Sequence, residues 1–530
     1  MKKIGLKIFV ILIFTMVLSM VFLAINPNMT KAGTIISTDE KWEYEKLEDN
    51  TIKITGINKM DKSQQLLEIP EQIDGYTVSS LDLANIQDNY ENKYNISDKL
   101  ASEYSIKIPK TVNNITSDIS TSRYYRTVIM YEVSEENNTY KTVDGVIFSK
   151  DGKELVAYPG GKKVLTYTIP EGTETIKDNA FNLVNNTKTL IFPNTIKKLE
   201  HSALNRYTKL KTLDIKKYNG ELNFSNTSSL EKIIVDSENT AYSVIDGILF
   251  NKEQNLIIKY PPMKEGEIYT IQKGVDISNN CFSYNNYLKS IIIESNITKI
   301  PDYAFQYCDE LTSIVLPNGL EIIGTDAFYN CDKLKTINIP NTVTEIGEGA
   351  FKDCDELTSI VLPNGLKKIN QMTFMFCEKL ETINIPNTVT DIGYAAFISS
   401  GLKTITFPEK IKSISFQSFQ SCRQLESVYI PNGVEEIEDY AFDDCIALKS
   451  INIPVSVEEI GSNAFKYCSN FTVKCEKNSF AYEWAMENKE SKNLTLEVTD
   501  TIAPVCKNIT VKTSDGKKVY SDTKINRLTI

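Results

Sequence analysis

Histidine occurs once in the 530 residues, as His201, and tryptophan twice. His is the commonest general base and a common metal ligand, so a single copy leaves almost no room for His-dependent triads or multi-His zinc sites. The chain carries no G-x-S-x-G, no Walker loop, no G-x-G-x-x-G and no H-E-x-x-H, the motifs that mark a strained nucleophile turn, phosphate cradles and a zinc protease helix. These absences argue against an enzyme and give no site for a cofactor. An excess of positive charge is missing as well. Against 69 Asp and Glu stand 58 Lys and Arg, a net charge of -11, so no general basic field is available for the phosphates of a nucleic acid. What is present is enough to fold: 41% hydrophobic and 10% aromatic residues exclude a wholly disordered or collagen-like chain.

The first residues read as an export signal. Lys2, Lys3 and Lys7 form its positive end, and 8–25 is an uncharged, mostly apolar run. The sequence Thr30-Lys31-Ala32 before Gly33 offers the small residues that a signal peptidase inspects, so residues 1–32 are expected to be cleaved after Ala32. The apolar run just reaches the length of a membrane span, which makes an uncleaved anchor the alternative. With cleavage no stable membrane span is expected, and the product is secreted or held at the cell surface.

Self-similarity decides the architecture. Phenylalanine recurs at Phe282, Phe305, Phe328, Phe351, Phe374 and Phe397, then at Phe419, Phe442 and Phe465. The period is 23, with one 22-residue step before Phe419. Pro317, Pro340, Pro363, Pro386, Pro408, Pro431 and Pro454 keep the same spacing and the same short step. Within one unit, Leu334, Ile337 and Ile339 would face inward, Thr336 and Asn338 outward, and Pro340 would close the strand because it cannot donate to a ladder. Val343, Ile346, Ala350 and Phe351 supply a second apolar wall of strand, turn or short helix. One such rung cannot bury its own apolar face, so rungs must stack.

The unit resembles the bacterial leucine-rich repeat proteins of the BspA type, whose pattern is C-x-x-L-x-x-I-x-I-P-x-x-V-x-x-I-G-x-x-A-F. The likeness runs from Phe282 to about Asn488 and more loosely over 41–217. It implies an α/β to mostly β solenoid of 23-residue leucine-rich repeat rungs with N- and C-terminal caps. It further implies a secreted or surface protein of the kind found in bacteria and some protozoan parasites, several regarded as adhesins for host matrix proteins or other microbes.

The expected organisation is a signal peptide over 1–32, an N-terminal cap with degenerate repeats over 33–135, irregular repeats with two hairpin insertions over 136–275, regular rungs and a C-terminal cap over 276–490, and a linker with a partial β-rich tail over 491–530. The hairpins are read from Asp144-Gly145 with Tyr158-Pro159 and Asp246-Gly247 with Tyr260-Pro261, 102 residues apart, with Asp151-Gly152 as a tight turn. A second duplication is literal: the thirteen residues from Cys308 to Leu320 recur from Cys354 to Leu366. The C-terminal cap is read as a helix at 479–486 with Phe480, Trp484 and Tyr482 available to cover the last rung.

Cys308, Cys331, Cys354, Cys377, Cys422, Cys445 and Cys468 fill one column, with Ser400 at the interrupted place. An odd number and a Ser substitute suit small apolar fillers better than a stapled ladder. Cys468 and Cys475, both beside the cap, are the pair best placed for a disulfide. Thiols 23 residues apart without histidine are not a zinc grouping, and no metal site is expected. The paired carboxylates Glu435-Glu436 and Glu458-Glu459 recur in successive rungs, as solvated turns would, so no catalytic residue is assigned. Candidate partner-binding residues are Tyr429, the one large aromatic among the small outward residues of the regular strands, and Arg123, Tyr124, Tyr125 and Arg126 in the N-terminal third, where Tyr90, Tyr94, Tyr104 and Tyr131 also gather. Partner hot spots favour these residue types. A non-enzymatic binder of extracellular protein or glycan, host matrix included, is the leading expectation. A passive spacer of the cell envelope is the alternative, and a glycan-hydrolysing enzyme the remote one.

Overall fold

The structure is a computed structural model that describes residues 34–58, 65–86, 103–116, 128–182 and 184–499, with the strand pair Val511–Lys512 and Lys518–Val519. The chain divides into two compact units, Met1–Leu357 and Thr358–Ile530. Each is a mostly β solenoid. Within the first unit, the long-wall strands Ile268–Ile271, Ser290–Ile293 and Ser313–Val315 pair in parallel, and so do the two-residue strands Lys299–Ile300, Ile322–Ile323 and Glu345–Ile346 of the opposite wall. Within the second unit, Thr404–Thr406, Ser427–Tyr429, Ser450–Asn452 and Thr472–Glu476 form the long wall. Ser413–Ile414, Glu436–Ile437 and Glu459–Ile460 form the short one. The 23-residue coil thus leaves room on its second side for two residues of strand and a turn. The alternation read from sequence holds: Leu334, Ile337, Ile339, Val343, Ile346, Ala350 and Phe351 are buried, while Thr336 and Asn338 are exposed.

The turn carrying the Phe column shows why stacking is specific. In the first unit Phe282, Phe305, Phe328 and Phe351 stack with ring centroids 5.3, 5.3 and 5.4 Å apart. In the second, Phe374, Phe397, Phe419, Phe442 and Phe465 stack at 5.2 to 5.5 Å. Tyr303 and Tyr307, on either side of Phe305, adopt positive φ, a conformation that costs a non-glycine residue about 1 kcal/mol. What offsets the strain is a set of bonds running one way along the stack: the N–H groups of Tyr303, Phe305 and Tyr307 donate to the Thr325, Ala327 and Tyr329 carbonyls at 2.9, 2.9 and 2.8 Å. The register is thereby fixed by backbone as well as by rings.

Two antiparallel meanders interrupt the first unit. Tyr140–Val143, Val146–Ser149 and Glu154–Ala157 form one, and Tyr242–Ile245, Ile248–Asn251 and Leu256–Lys259 the other. The last strand of each then joins the parallel short wall. Their two-residue turns are Asp144-Gly145 and Asp246-Gly247, all four with positive φ, the geometry a tight hairpin demands. Asp151-Gly152 closes the second connection of the first meander, where Gly152 alone has positive φ. Buried Asn137 and Asn239, 102 residues apart, anchor the two copies identically. Asn137 Nδ2 donates to the Pro109 and Val112 carbonyls and its Oδ1 accepts from the Thr139 and Tyr140 amides. Asn239 does the same with Lys216, Tyr218, Ala241 and Tyr242. Ahead of the first meander, Trp42, Tyr44, Ile57, Ile69 and Val78 belong to one core cluster that reaches Ile147 and Val156.

The second unit ends on the helix Phe480–Asn488, capped by Ser479, whose hydroxyl accepts from the Tyr482 amide at 3.2 Å. Its covering face is Ala481 and Ala485, both buried, with Trp484 lying 5.2 Å from the Phe465 ring. Phe480 turns outward at 44% exposure, because the two alanines allow the helix backbone to approach the rung. Beyond the cap, within the stretch that reads as linker, Thr495–Thr499 pairs in parallel with Thr472–Glu476 and adds one more strand. The 22-residue step is absorbed at Gly401, whose amide reaches the Cys377 carbonyl at 3.1 Å. A Cβ there would overlap the Glu378 carbonyl oxygen.

Two outcomes follow. Excising residues 308–353 rejoins identical sequence at Cys354, so the shortened chain should unfold cooperatively in calorimetry with a smaller enthalpy; a broad, non-cooperative transition would contradict a nearest-neighbour ladder. Gly401→Ala should destabilise by about 1 to 3 kcal/mol in urea titration, since backbone rather than a movable side chain blocks the new methyl.

Candidate binding surfaces

The long wall of the second unit presents two outward columns. Ser359, Thr382, Thr404, Ser427 and Ser450 form the first, and Val361, Asn384, Thr406, Tyr429 and Asn452 the second. Over these five rungs neither column holds a charge; on the next strand the second column continues into Lys474, paired with Glu497 at 3.0 Å. The charges sit at its margin as rung-to-rung ion pairs, Lys403 with Glu381 at 2.8 Å and Lys449 with Glu426 at 2.7 Å. Tyr429, flanked in register by Thr406 and Asn452, stands 53% exposed as the one large ring of these five rungs' outward positions.

Of the other sequence candidates, Arg123, Tyr124, Tyr125 and Arg126 lie outside the described residues, as do Tyr90 and Tyr94. Tyr104 and Tyr131 are core residues of the N-terminal cluster; the alternation of their strands turns them inward. Glu435 pairs with Lys412 at 2.8 Å. Glu436 and Glu459 are register partners on adjacent rungs, and partial burial, with Glu438 and Glu459 adding repulsion, raises the Glu436 pKa. Among the described residues no group of three or more His, Cys, Asp and Glu could hold a metal ion, and no helix is long and apolar enough to cross a membrane.

The cysteine column has a local cause. Each thiol is buried, and six of the seven donate to the carbonyl of the Phe one rung earlier. Cys308, Cys331 and Cys354 reach Phe282, Phe305 and Phe328, each at 3.2 Å. Cys422, Cys445 and Cys468 reach Phe397, Phe419 and Phe442 at 3.1, 3.2 and 3.0 Å. Each of these carbonyls already accepts the amide three residues on in its own rung, as Phe305 does from Cys308 at 3.3 Å, and a small apolar side chain with one weak donor fits the corner by taking the second lone pair. Cys468 and Cys475, singled out as a candidate disulfide, stand as free thiols, with Cys468 engaged like the rest of its column. Burial pushes the Cys308 and Cys422 thiols up to about 12. After the last Phe of the column no thiol follows, and the Lys492 ammonium takes its place, donating to the Phe465 carbonyl at 2.8 Å. Sequence reasoning missed this residue, and also Lys259. Fully buried, Lys259 donates to the Asn280 carbonyl at 2.7 Å and the Ser283 hydroxyl at 2.9 Å; desolvation lowers its pKa to about 8.

The sequence model of the BspA type leucine rich repeat region matches in six copies over residues 157–257, 275–400 and 344–472, more than half of the chain. No curated protein matches. Among solved structures, a leucine rich cell surface protein of Faecalibacterium prausnitzii is similar at 20% identity over 85% of this chain and 97% of its own, with a TM-score of 0.32. The pneumococcal vaccine antigen PcpA is similar at 17% identity over 89% and 100%, with a TM-score of 0.43. A leucine-rich repeat protein of Bacteroides ovatus is similar at 19% identity over 87% and 98%, with a TM-score of 0.33.

The thiol chemistry has measurable consequences. A buried thiol ionises less readily than the 9.0 of the unfolded chain, so its contribution to stability is complete below pH 9 and is lost as pH rises toward 12. Urea midpoints should therefore fall between pH 9 and 11, and the column cysteines should resist alkylation at pH 8 until the protein is denatured. Cys331→Ala, which removes the second donor of a Phe305 carbonyl still bonded to the Cys308 amide, should cost about 1 kcal/mol, and Cys331→Ser, which restores a donor, less. Rapid alkylation of all nine described cysteines in the native protein would contradict the assignment.

Proposed function

The chain belongs to the BspA-type leucine-rich repeat family, and from that premise we propose that it is a non-enzymatic, secreted or cell-surface protein that binds an extracellular protein or glycan in the manner of an adhesin. The observation that carries the reading is the uncharged five-rung stretch of the second unit's long wall from Ser359 to Asn452, bordered by ion pairs. An interface with a charge-depleted centre, a polar rim and one exposed tyrosine as anchor has this anatomy. Tyr429 is the proposed anchor there, and Arg123, Tyr124, Tyr125 and Arg126 are a second proposed contact. Hydroxyl and amide groups spaced at the roughly 4.8 Å of adjacent parallel strands suit a ligand that repeats along its own length, such as a glycan chain or an extended protein segment.

The same wall supports a second reading. Its columns vary little from rung to rung, and Ser and Thr are good residues for any wet strand face, as a passive spacer would use. A titration of the whole protein against immobilised matrix proteins and cell-surface glycans separates the two. The binding reading expects saturation, with at least a tenfold loss for Tyr429→Ala if the wall is the contact, and for the joint change of Arg123 and Arg126 to Ala if the N-terminal segment is. Absence of saturable binding to every surface would favour the spacer.

A further inference from the structure

The short wall of the first unit is interrupted after Lys198–Leu199. Glu154–Ala157, Thr175–Ile176 and Lys198–Leu199 pair in parallel, and among the described residues no strand follows Lys198–Leu199 in that sheet. The cause is a shortened rung. From Tyr207 to Thr227, both buried at the position the cysteines occupy elsewhere, and from Leu210 to Leu230, the step is 20 residues. Three residues fewer leave the backbone between Lys216 and Phe224 without enough length to form the two-residue strand. The upstream rungs show which groups a following strand would engage: the Lys197 and Lys198 amides donate to the Glu174 carbonyl at 2.7 and 3.1 Å, and the Glu200 amide to the Ile176 carbonyl at 2.9 Å. By the same register the Lys197 and Leu199 carbonyls point to where the absent strand would lie. On the donor side the gap is already filled by a substitute. The Leu199 amide donates to the Tyr218 hydroxyl at 3.2 Å, and that hydroxyl donates on to the Glu221 carbonyl at 2.9 Å.

The gap is a cleft of about 320 Å³ lined by Lys198, Leu199, Leu204, Glu221 and Asn223 together with Asp178, Glu200 and His201. Its floor reaches the buried Leu204. Three carboxylates face one lysine. Glu200 is held by Lys177 at 2.8 Å and Asp178 accepts the Ser202 amide at 2.8 Å. His201, the chain's one histidine, stands at the margin with Asn223 Nδ2 3.3 Å from its Nε2. We propose that this cleft is a strand-addition site for an extended, basic peptide segment of a protein partner, whose amides would donate to the Lys197 and Leu199 carbonyls while a cationic side chain meets Glu221 and Asp178. An open strand edge is a template for such pairing, and the carboxylate excess selects the sign of the side chain. The site deepens the binding reading above for protein partners, while lying on the other wall and in the other unit from Tyr429.

The test uses the whole protein and a fluorescent octapeptide of alternating Lys and Val. Saturable binding is expected, with a loss of at least tenfold when alternate peptide amides are N-methylated, when Lys is replaced by Glu in the peptide, or when Glu221→Lys is made in the protein. Glu221 is exposed, so the variant should fold, as circular dichroism would verify. Tyr429→Ala should leave this binding unchanged, which keeps it separable from the matrix and glycan titration. Absence of binding, equal binding of the N-methylated peptide, or indifference to Glu221→Lys would each overturn the proposal, the last two by showing nonspecific charge attraction in place of strand addition.

Discussion

Burying the Phe351 ring takes a second coil. On its own a 23-residue rung has an apolar side formed by residues such as Leu334, Ile337, Val343 and Ala350, and nothing to place against it. Each rung therefore draws stability from its neighbours, and three columns perform that work together: rings stacked near 5.3 Å, backbone amides of the turn donating one rung onward, and thiols donating one rung back to the Phe carbonyl. The positive-φ residues at the turn are the cost of aligning those amides. Because the two sets of donors point in opposite directions along the stack, neither Phe nor Cys can be changed without disturbing the adjoining rung.

The same constraint explains where the ladder departs from regularity. An end must satisfy groups that a neighbour would otherwise serve, and the second unit uses the Lys492 ammonium where the next thiol would be. The meanders of the first unit use Asn137 and Asn239, each spending two donors and one shared acceptor on four backbone groups. A rung with one residue too few survives through Gly401, but a rung with three too few gives up its second strand and opens a cleft at Lys198–Leu199. Function in such a protein is then divided between monotonous walls, which repetition builds, and singular breaks, which repetition cannot fill.

Columns of identical residues at a fixed step made the regular coils legible before any coordinates: inward and outward positions, the closing proline and the two walls all follow from the period. The turn conformation was not legible, since Tyr303, Asp326 and Met372 share positive φ without sharing a residue type. On the helix, Trp484 packs against the Phe465 ring as read, while Phe480 was misplaced because its larger apolar surface outweighed Ala481 and Ala485, although close approach needs the small residues. The cleft escaped detection because its rung replaces Phe, Cys and Pro with Leu204, Tyr207 and Lys216, so that the 20-residue step belongs to no visible column. As for the candidate contacts, Tyr429 was readable as an outward residue in a small-residue column, and Tyr104 and Tyr131 were not distinguishable from surface aromatics until their strands were placed.

Native-state hydrogen exchange resolved to single amides tests most directly the claim that stability here is a sum of interfaces between neighbouring rungs. Under that claim the Phe305 and Phe328 amides, bonded onward to Ala327 and Ala350 at 2.9 Å, exchange slowly. Protection falls toward the ends of each unit and dips sharply between Glu200 and Asn223 at the shortened rung. Uniform protection across each unit, without a dip at that rung, would mean that the molecule opens only as a whole and would contradict the account.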